Sequence, residues 1–304
     1  MFVNERIEPL ELTNLRFLKT RMKLPDKYYY QYRRLQRGFE GEQAFDEMMK
    51  KKPGNFLVVR NLLLELNNTK FQIDSAIIFR NRNLLVDVKN YEGDYSIDGD
   101  NWYANPDEEI NNPLSQLKRS DTLFRKLLKS IGYSTSIDSR LVFVNPHFFL
   151  YNAQRNHPII FPSQIDRFLD KLALKTANLT EKQHKLAKHL LEIQADEKRF
   201  MQLPDYTYTQ LTKGIRCSAC NLFYDIRKGK KVICQNCGCI EDVQTSVMRS
   251  VKELNILFPD KQITTNIIKD WCKIVSLRTI QRILTQNFEQ VGHGKSTYYL
   301  SKKE

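Results

Sequence analysis

No stretch of the 304 residues approaches the roughly 18 consecutive apolar residues that a membrane helix needs. The opening segment, MFVNERIEPLEL, carries charges where an export signal would be apolar. These absences predict a cytoplasmic protein with no membrane partner. Internal repeats and low-complexity tracts are also lacking, so the length reads as two or more ordinary folded domains. Acidic charge is the scarcer sign: 35 Asp and Glu stand against 48 Lys and Arg, a net charge of +13. Residues 201–304 hold 16 basic and 9 acidic side chains, and residues 1–200 hold 32 and 26, so the last third is the more basic per residue. Such an excess suits phosphate polyanions, because each phosphate neutralised releases condensed counterions. Cysteine is confined: five of the six lie between Cys217 and Cys239, with Cys272 beyond. Clustered cysteines in a chain without an export signal favour metal binding over disulfides.

The chain divides into five expected segments: a basic arm (1–30), a mixed α/β domain with a helical extension (31–200), a linker (201–214), a cysteine-rich segment (215–243) and a helical end (244–304). Up to Arg37 the sequence has 9 basic and 4 acidic residues and the run KYYYQYRR, which suits a solvated, partly helical arm or bases stacking on aromatics. GFEGEQAFDEMMKK repeats apolar residues at helical spacing and places Glu42 in the first turns of a helix. Strands are expected at Phe56–Leu64, Lys70–Arg80, Asn83–Asn90, around YSIDGDNWYA and at Arg140–Asn145, with helices at Pro113–Ile131, Ser163–Lys175 and Thr180–Arg199. The last of these opens with a capping box, Thr180 to Gln183.

Charges inside two of these apolar strands need a reason, since burying a carboxylate or ammonium costs several kcal/mol unless it is paired or bound to a metal. In LLVDVKN, period-two alternation sends Leu85, Asp87 and Lys89 to one face and Val86 and Val88 to the other. With Asp74 on the preceding strand, Asp87 and the Val88 backbone carbonyl would offer oxygen ligands to Mg²⁺, leaving Lys89 to orient the attacking water or offset charge on a phosphate. A solvated D-x-K face is the plain alternative. Likewise Glu42 alone reads as a helix-dipole partner and Gln116 as a surface helix residue.

The ordered set GFEGE (Gly38–Glu42), QID (Gln72–Asp74), DVKN (Asp87–Asn90), Trp102 and NPLSQ (Asn112–Gln116) resembles the nuclease-related domain family, NERD, over about Arg33 to Asn145. The resemblance implies a restriction-endonuclease-like mixed sheet flanked by helices, of the PD-(D/E)xK nuclease superfamily. By position it assigns catalytic roles to Glu42, Asp74, Asp87, Lys89 and Gln116, with Asp74 and Asp87 on a catalytic Mg²⁺. The chain departs from the family in carrying Asp87 where Glu is more usual, which shortens the reach to the metal.

CSAC (Cys217–Cys220) and CQNC (Cys234–Cys237) give two C-x2-C pairs thirteen residues apart, a spacing that closes a tetrahedral, structural Zn²⁺ shell and looks like a zinc ribbon. Cys239 reads as a packing residue, and DIRKGKK between the pairs as a basic hairpin or a solvated turn. Ile263–Phe288 reads as two helices split near Cys272–Val275, and EQVGHGKSTYYL as the wing of a winged helix. In that docking mode Arg278, Thr279, Gln281 and Arg282 would face DNA bases and phosphates, with Lys295 on the backbone. A helical bundle that only supports the ribbon is the alternative. The expected function is a Mg²⁺-dependent nuclease acting on DNA, or on RNA. The alternatives are a non-catalytic nucleic-acid-binding or regulatory protein with an inactive nuclease-like core, and a zinc-ribbon adaptor for another protein.

Overall fold

The computed structural model describes residues 1–104, 108–174 and 177–302, and Lys175, the expected end of one helix, lies outside them. Two helices open the chain, α1 (Leu10–Arg21) and α2 (Asp26–Lys50). The chain folds into two compact units: Met1–Leu10 with Arg33–Met201, and Glu11–Tyr32 with Gln202–Glu304. This differs from the five expected segments. Phe17, Leu18 and Leu24 of the supposed arm are buried in the core of the second unit, because the arm carries an apolar face as well as its charges. The supposed linker is packed too: Leu211 is buried, and the Tyr206 and Tyr208 hydroxyls donate to the Leu257 carbonyl and the Asp270 carboxylate, both at 2.8 Å. No helix among the described residues is long and apolar enough to cross a membrane.

The first unit is built on a mixed sheet. Its strands are β1 (Leu57–Leu66), β2 (Thr69–Ile78), β3 (Arg82–Lys89), β4 (Gly93–Asp98), β5 (Asn101–Ala104), β6 (Glu108–Ile110), β7 (Ser136–Phe143), β8 (Phe148–Tyr151) and β9 (Ile159–Ile160). The main sheet has the order β1-β2-β3-β7-β9; β1–β2–β3 pair antiparallel, and β3–β7–β9 parallel. A smaller sheet, β6-β5-β4-β8, buries Trp102 beside Phe143 and Phe148. The helices are α3 (Pro113–Ser130), α4 (Ile165–Ala173) and α5 (Glu181–Glu192). Period-two alternation divides the sheet's side chains between two cores. Leu57, Val59, Ala76 and Leu85 pack with Phe124 and Leu128 of α3 and Leu186 and Leu190 of α5. Val58, Ile77, Val86 and Val88 pack with Phe45 and Met49 of α2 and Leu169 of α4.

One irregularity bears on the site. The β1–β2 ladder is complete except where Asn61 would meet Asp74, and Asn61 has φ 51°. Asparagine tolerates the left-handed region better than most residues. Beyond this break Leu62 and Leu64, and across from them Phe71 and Ile73, join the same core as Leu57, Val59, Ala76 and Ile78, so both strands change facing parity there. Strict alternation cannot place Asp74.

In the second unit a three-stranded sheet, β10 (Ile226–Lys228), β11 (Lys231–Ile233) and β12 (Ile240–Asp242), leads into α6 (Val243–Leu257), α7 (Thr265–Cys272) and α8 (Leu277–Asn287), then the hairpin β13 (Phe288–Val291) and β14 (Tyr298–Ser301). Trp271, Val275, Ile280, Ile283 and Leu284 share one core with Val247, Val251 and Leu254. Glu253 lies inside this unit between two buried arginines, with its Oε1 2.8 Å from Arg21 Nε and 2.9 Å from Arg216 Nε. Arg21 also lies 3.8 Å over the Trp271 ring.

Candidate active site and metal centre

The acid-lysine set is assembled by α2, β2, β3 and α3. Asn112 caps α3, its side-chain oxygen accepting from Leu114 and Ser115 N–H at 2.8 and 3.2 Å, and Pro113 takes the first helical position. That cap fixes Gln116 in the opening turn, where its Oε1 accepts from Lys89 Nζ at 3.2 Å. Lys89 Nζ also stands 2.7 Å from Asp87 Oδ1. The Asp87 Oδ1 atom is buried, and the Lys89 ammonium is its close partner.

The β2–β3 ladder stops at Ser75↔Val86. Just beyond it the Asp74 carboxylate takes over from the backbone, Oδ2 accepting the Val88 N–H at 2.8 Å. Its Oδ1 has only a long 3.3 Å contact from Gln72. Within a strand the N–H and C=O of one residue point to the same side, so the Val88 carbonyl faces the Asp74 edge. An Asp87 oxygen paired only with Lys89, a weakly held Asp74 oxygen and a backbone carbonyl form an all-oxygen donor set that fits a hard divalent cation.

Glu42 lies elsewhere in the same network. Its carboxylate is bound by the Arg6 guanidinium, which also pairs with Asp46 at 2.7 Å and donates to the Asp74 carbonyl and Ser75 Oγ at 3.1 Å. Asp46 in turn meets Arg60 at 3.1 Å. Sequence reasoning missed Arg6 and Asp46. The second had a signal, since Glu42 and Asp46 are four residues apart on one helix face; the first had none, because nothing local joins the N-terminal segment to α2. Glycine makes the close approach of α2 possible: a Cβ on Gly41 would lie 2.6 Å from Asn90 Cβ, whereas one on Gly38 would meet nothing within 4 Å.

Burial, together with Asp74, pushes the Glu42 carboxyl up to about 8 against the pull of Arg6. Burial and Asp87 push Asp74 up to about 6, opposed by Lys89 and the Val88 N–H. For Lys89 burial acts downward, but Asp87 and Asp74 outweigh it and hold the ammonium above its ordinary value. Asp74, Asp87, Lys89 and Gln116 thus converge, while Glu42 is engaged by arginine. A cavity of about 380 Å³ lined by Ile78, Asn83, Tyr133 and Gln183 opens at the other end of the β2–β3 ladder and takes no part in this cluster.

The four cysteines form the one group among the described residues in which three or more His, Cys, Asp or Glu ligand atoms lie within 4.8 Å of one another. Cys217 Sγ is 3.6 Å from Cys237 Sγ, and Cys220 Sγ 3.5 Å from Cys234 Sγ. Tetrahedral sulfur ligands about 2.3 Å from a metal stand about 3.8 Å apart, so the set fits a zinc-sized ion. Both pairs adopt the same turn. Asn221 N–H donates to the Cys217 carbonyl at 3.1 Å and Gly238 N–H to the Cys234 carbonyl at 2.9 Å, with φ of 64° and 71° at Asn221 and Gly238. Cys239 stays outside the set, against the Tyr224 hydroxyl at 3.7 Å and Ser218 at 3.6 Å.

On α8, Arg278, Gln281 and Arg282 are exposed along one face. Thr279 is not free to read a base: its Oγ1 accepts from Arg227 Nη2 at 3.2 Å and lies 3.0 Å from Ser276 Oγ. The Lys295 side chain lies outside the described residues.

No curated protein matches the sequence. The family model of the nuclease-related domain matches residues 37–144, a span that holds Glu42, Asp74, Asp87, Lys89 and Gln116. This stretch of the chain is a nuclease-related domain of the NERD family.

Proposed function

We propose that the protein is a Mg²⁺-dependent deoxyribonuclease whose first unit hydrolyses the phosphodiester bond, and whose second unit, a zinc ribbon followed by a winged helix, binds the substrate. The observation that carries the reading is the convergence of two largely buried carboxylates, Asp74 and Asp87, with the Lys89 ammonium 2.7 Å from Asp87 Oδ1 and 3.2 Å from Gln116 Oε1. Burying two carboxylates beside a single ammonium costs several kcal/mol, and a divalent cation at this position would offset that cost. Asp74, Asp87 and the Val88 carbonyl would hold the divalent cation, which when bound stabilises charge on the phosphate and lowers the pKa of water.

The chain's own groups supply the rest. Gln116 holds the Lys89 ammonium in place through its Oε1. That ammonium would orient a water or offset negative charge developing on the phosphate. The Val88 N–H fixes the Asp74 carboxylate. Glu42, braced by Arg6, positions the α2 side of the site rather than reaching into it. Four thiolates with no open position leave zinc a structural role.

Asp74→Asn and Asp87→Asn keep side-chain shape and remove the charge, so each is expected to abolish Mg²⁺-dependent cleavage of DNA with the melting temperature preserved. Lys89→Gln should lower kcat by about 10²–10⁴. Cutting that persists in both aspartate variants would refute the site. A wild-type protein that cuts no form of DNA, with or without Mg²⁺, would replace the assignment by RNA cleavage if RNA is cut, and by a binding role if neither is.

A further inference from the structure

The basic hairpin β10–β11 is absorbed by neither the metal centre nor the cleavage chemistry. Its strands pair as Ile226↔Ile233, Arg227↔Val232 and Lys228↔Lys231, with Gly229 at φ 59° in the turn. Val232 is fully buried and anchors the hairpin, while Lys228, Lys230 and Lys231 are exposed. No ion pair among the described residues neutralises these three lysines. The acid nearest in register is Asp242, across from Lys231, and its carboxylate is already engaged in capping α6 through Gln244 and Thr245 N–H.

Arg227 joins this hairpin to α8. Its Nε donates to the Gly229 carbonyl at 3.1 Å, bracing the turn, and its Nη2 donates to Thr279 Oγ1 at 3.2 Å. Thr279 sits in the first turn of α8, its Oγ1 3.0 Å from the hydroxyl of Ser276 at the N-cap position. The lysine-bearing turn is thereby held beside the helix N-terminus, the end whose unpaired N–H groups favour anions. From there α8 turns Ile280, Ile283 and Leu284 into the core and Arg278, Gln281 and Arg282 outward.

We propose that the β10–β11 hairpin and α8 form one continuous surface for duplex DNA, with Arg227 tying the two together, Lys228, Lys230 and Lys231 taking phosphates, and Arg278, Gln281 and Arg282 entering the adjoining groove. This rests on the reading of the second unit as the substrate-binding part. Charge complementarity names a polyanion, and the side chains the surface exposes favour the duplex. Single-strand binders stack bases on exposed aromatics, and the large exposed apolar residue of α8 is Leu277, an aliphatic one, with none on the hairpin. The zinc ribbon is then more than a brace: its four thiols position the phosphate-binding arm of the reading helix.

The test is duplex binding by the full chain carrying Asp87→Asn, so that affinity is read without cutting, over a series of salt concentrations. Replacing Lys228, Lys230 and Lys231 by Glu should lower the log–log salt slope by about 2 to 3, at about 0.9 per phosphate contact. Zinc content and melting temperature should stay unchanged. Arg278→Gln with Arg282→Gln should weaken duplex binding by about tenfold or more with a smaller change in slope, and the two sets combined should add in binding free energy, at one duplex per chain. A folded, zinc-loaded hairpin variant with unaltered affinity and slope overturns the proposal, as does binding of two duplexes per chain. Displacement of duplex by equal amounts of single-stranded DNA or RNA overturns its substrate. These outcomes are independent of cleavage, so a protein that binds in this way but cuts nothing would retain the surface and lose only the nuclease assignment.

Discussion

At Glu42 two forces oppose each other, and the balance makes a measurable difference with pH. The carboxyl faces Arg6, Asp46 and Asp74; burial and the neighbouring acid raise it from its ordinary 4.5 to about 8, and only Arg6 pulls it down. A carboxyl raised on folding leaves the native state with more protons bound than the unfolded chain between those two values. Stability must therefore fall as pH rises through that window, by up to about 1.4 kcal/mol for each pH unit. In metal-free protein, the melting temperature is expected to drop between pH 5 and 8, and Glu42→Gln should flatten much of that drop. An identical decline in wild type and variant would show that Arg6 keeps Glu42 ionised across the range and that another group carries the dependence.

Among the elements, α2 and β3 test how local sequence becomes site geometry. Gly41→Ala places a Cβ within 2.6 Å of Asn90 Cβ, where α2 meets the end of β3, whereas Gly38→Ala fills open space. The first should lower the melting temperature by the equivalent of about 1–3 kcal/mol, as overpacking does, and disturb cleavage. The second should be neutral or slightly stabilising, since alanine favours a helix interior over glycine. Equal effects would mean that the approach of the two elements does not depend on the missing side chain. The same strand shows how far sequence reading reaches. The alternation of Leu85, Asp87 and Lys89 with Val86 and Val88 was legible, and the fold keeps it, with Lys89 meeting Gln116 on the α3 side. Asp74 was legible as a residue type but not as a geometry, because the left-handed Asn61 opposite it reverses the pleat in both strands. Arg6 was not legible at all: its partners are 36 and 40 residues away, and only tertiary packing joins them. Thr279 reads as a base-facing side chain from its place on α8, and in the structure its hydroxyl accepts from Arg227 of β10.

For the molecule as a whole, the useful fact is that each unit has a hydrophobic core of its own. Trp271, Leu254, Ile283 and Leu18 belong to one, and Val59, Phe124, Phe45 and Val86 to the cores of the other. The strands β10, β11 and β12 of the second unit have three residues each, and a metal held by the four thiols would add to their stability. Elemental analysis should find about one zinc per chain. Cys217→Ser with Cys220→Ser should lose it and lower the melting transition of the second unit, leaving the transition of the sheet unit in place. Because Asp74, Asp87, Lys89 and Gln116 all lie in the sheet unit, Mg²⁺-dependent cutting should survive at high protein concentration while affinity for duplex falls. Point substitutions are the right tool here. A cut at residue 200 would strip Phe17, Leu18 and Leu24 of their partners and expose them, so its failure would say nothing about chemistry. A zinc-free double variant with unchanged melting and unchanged DNA affinity would show that the cysteine turns stand without metal and that the hairpin is not held by them.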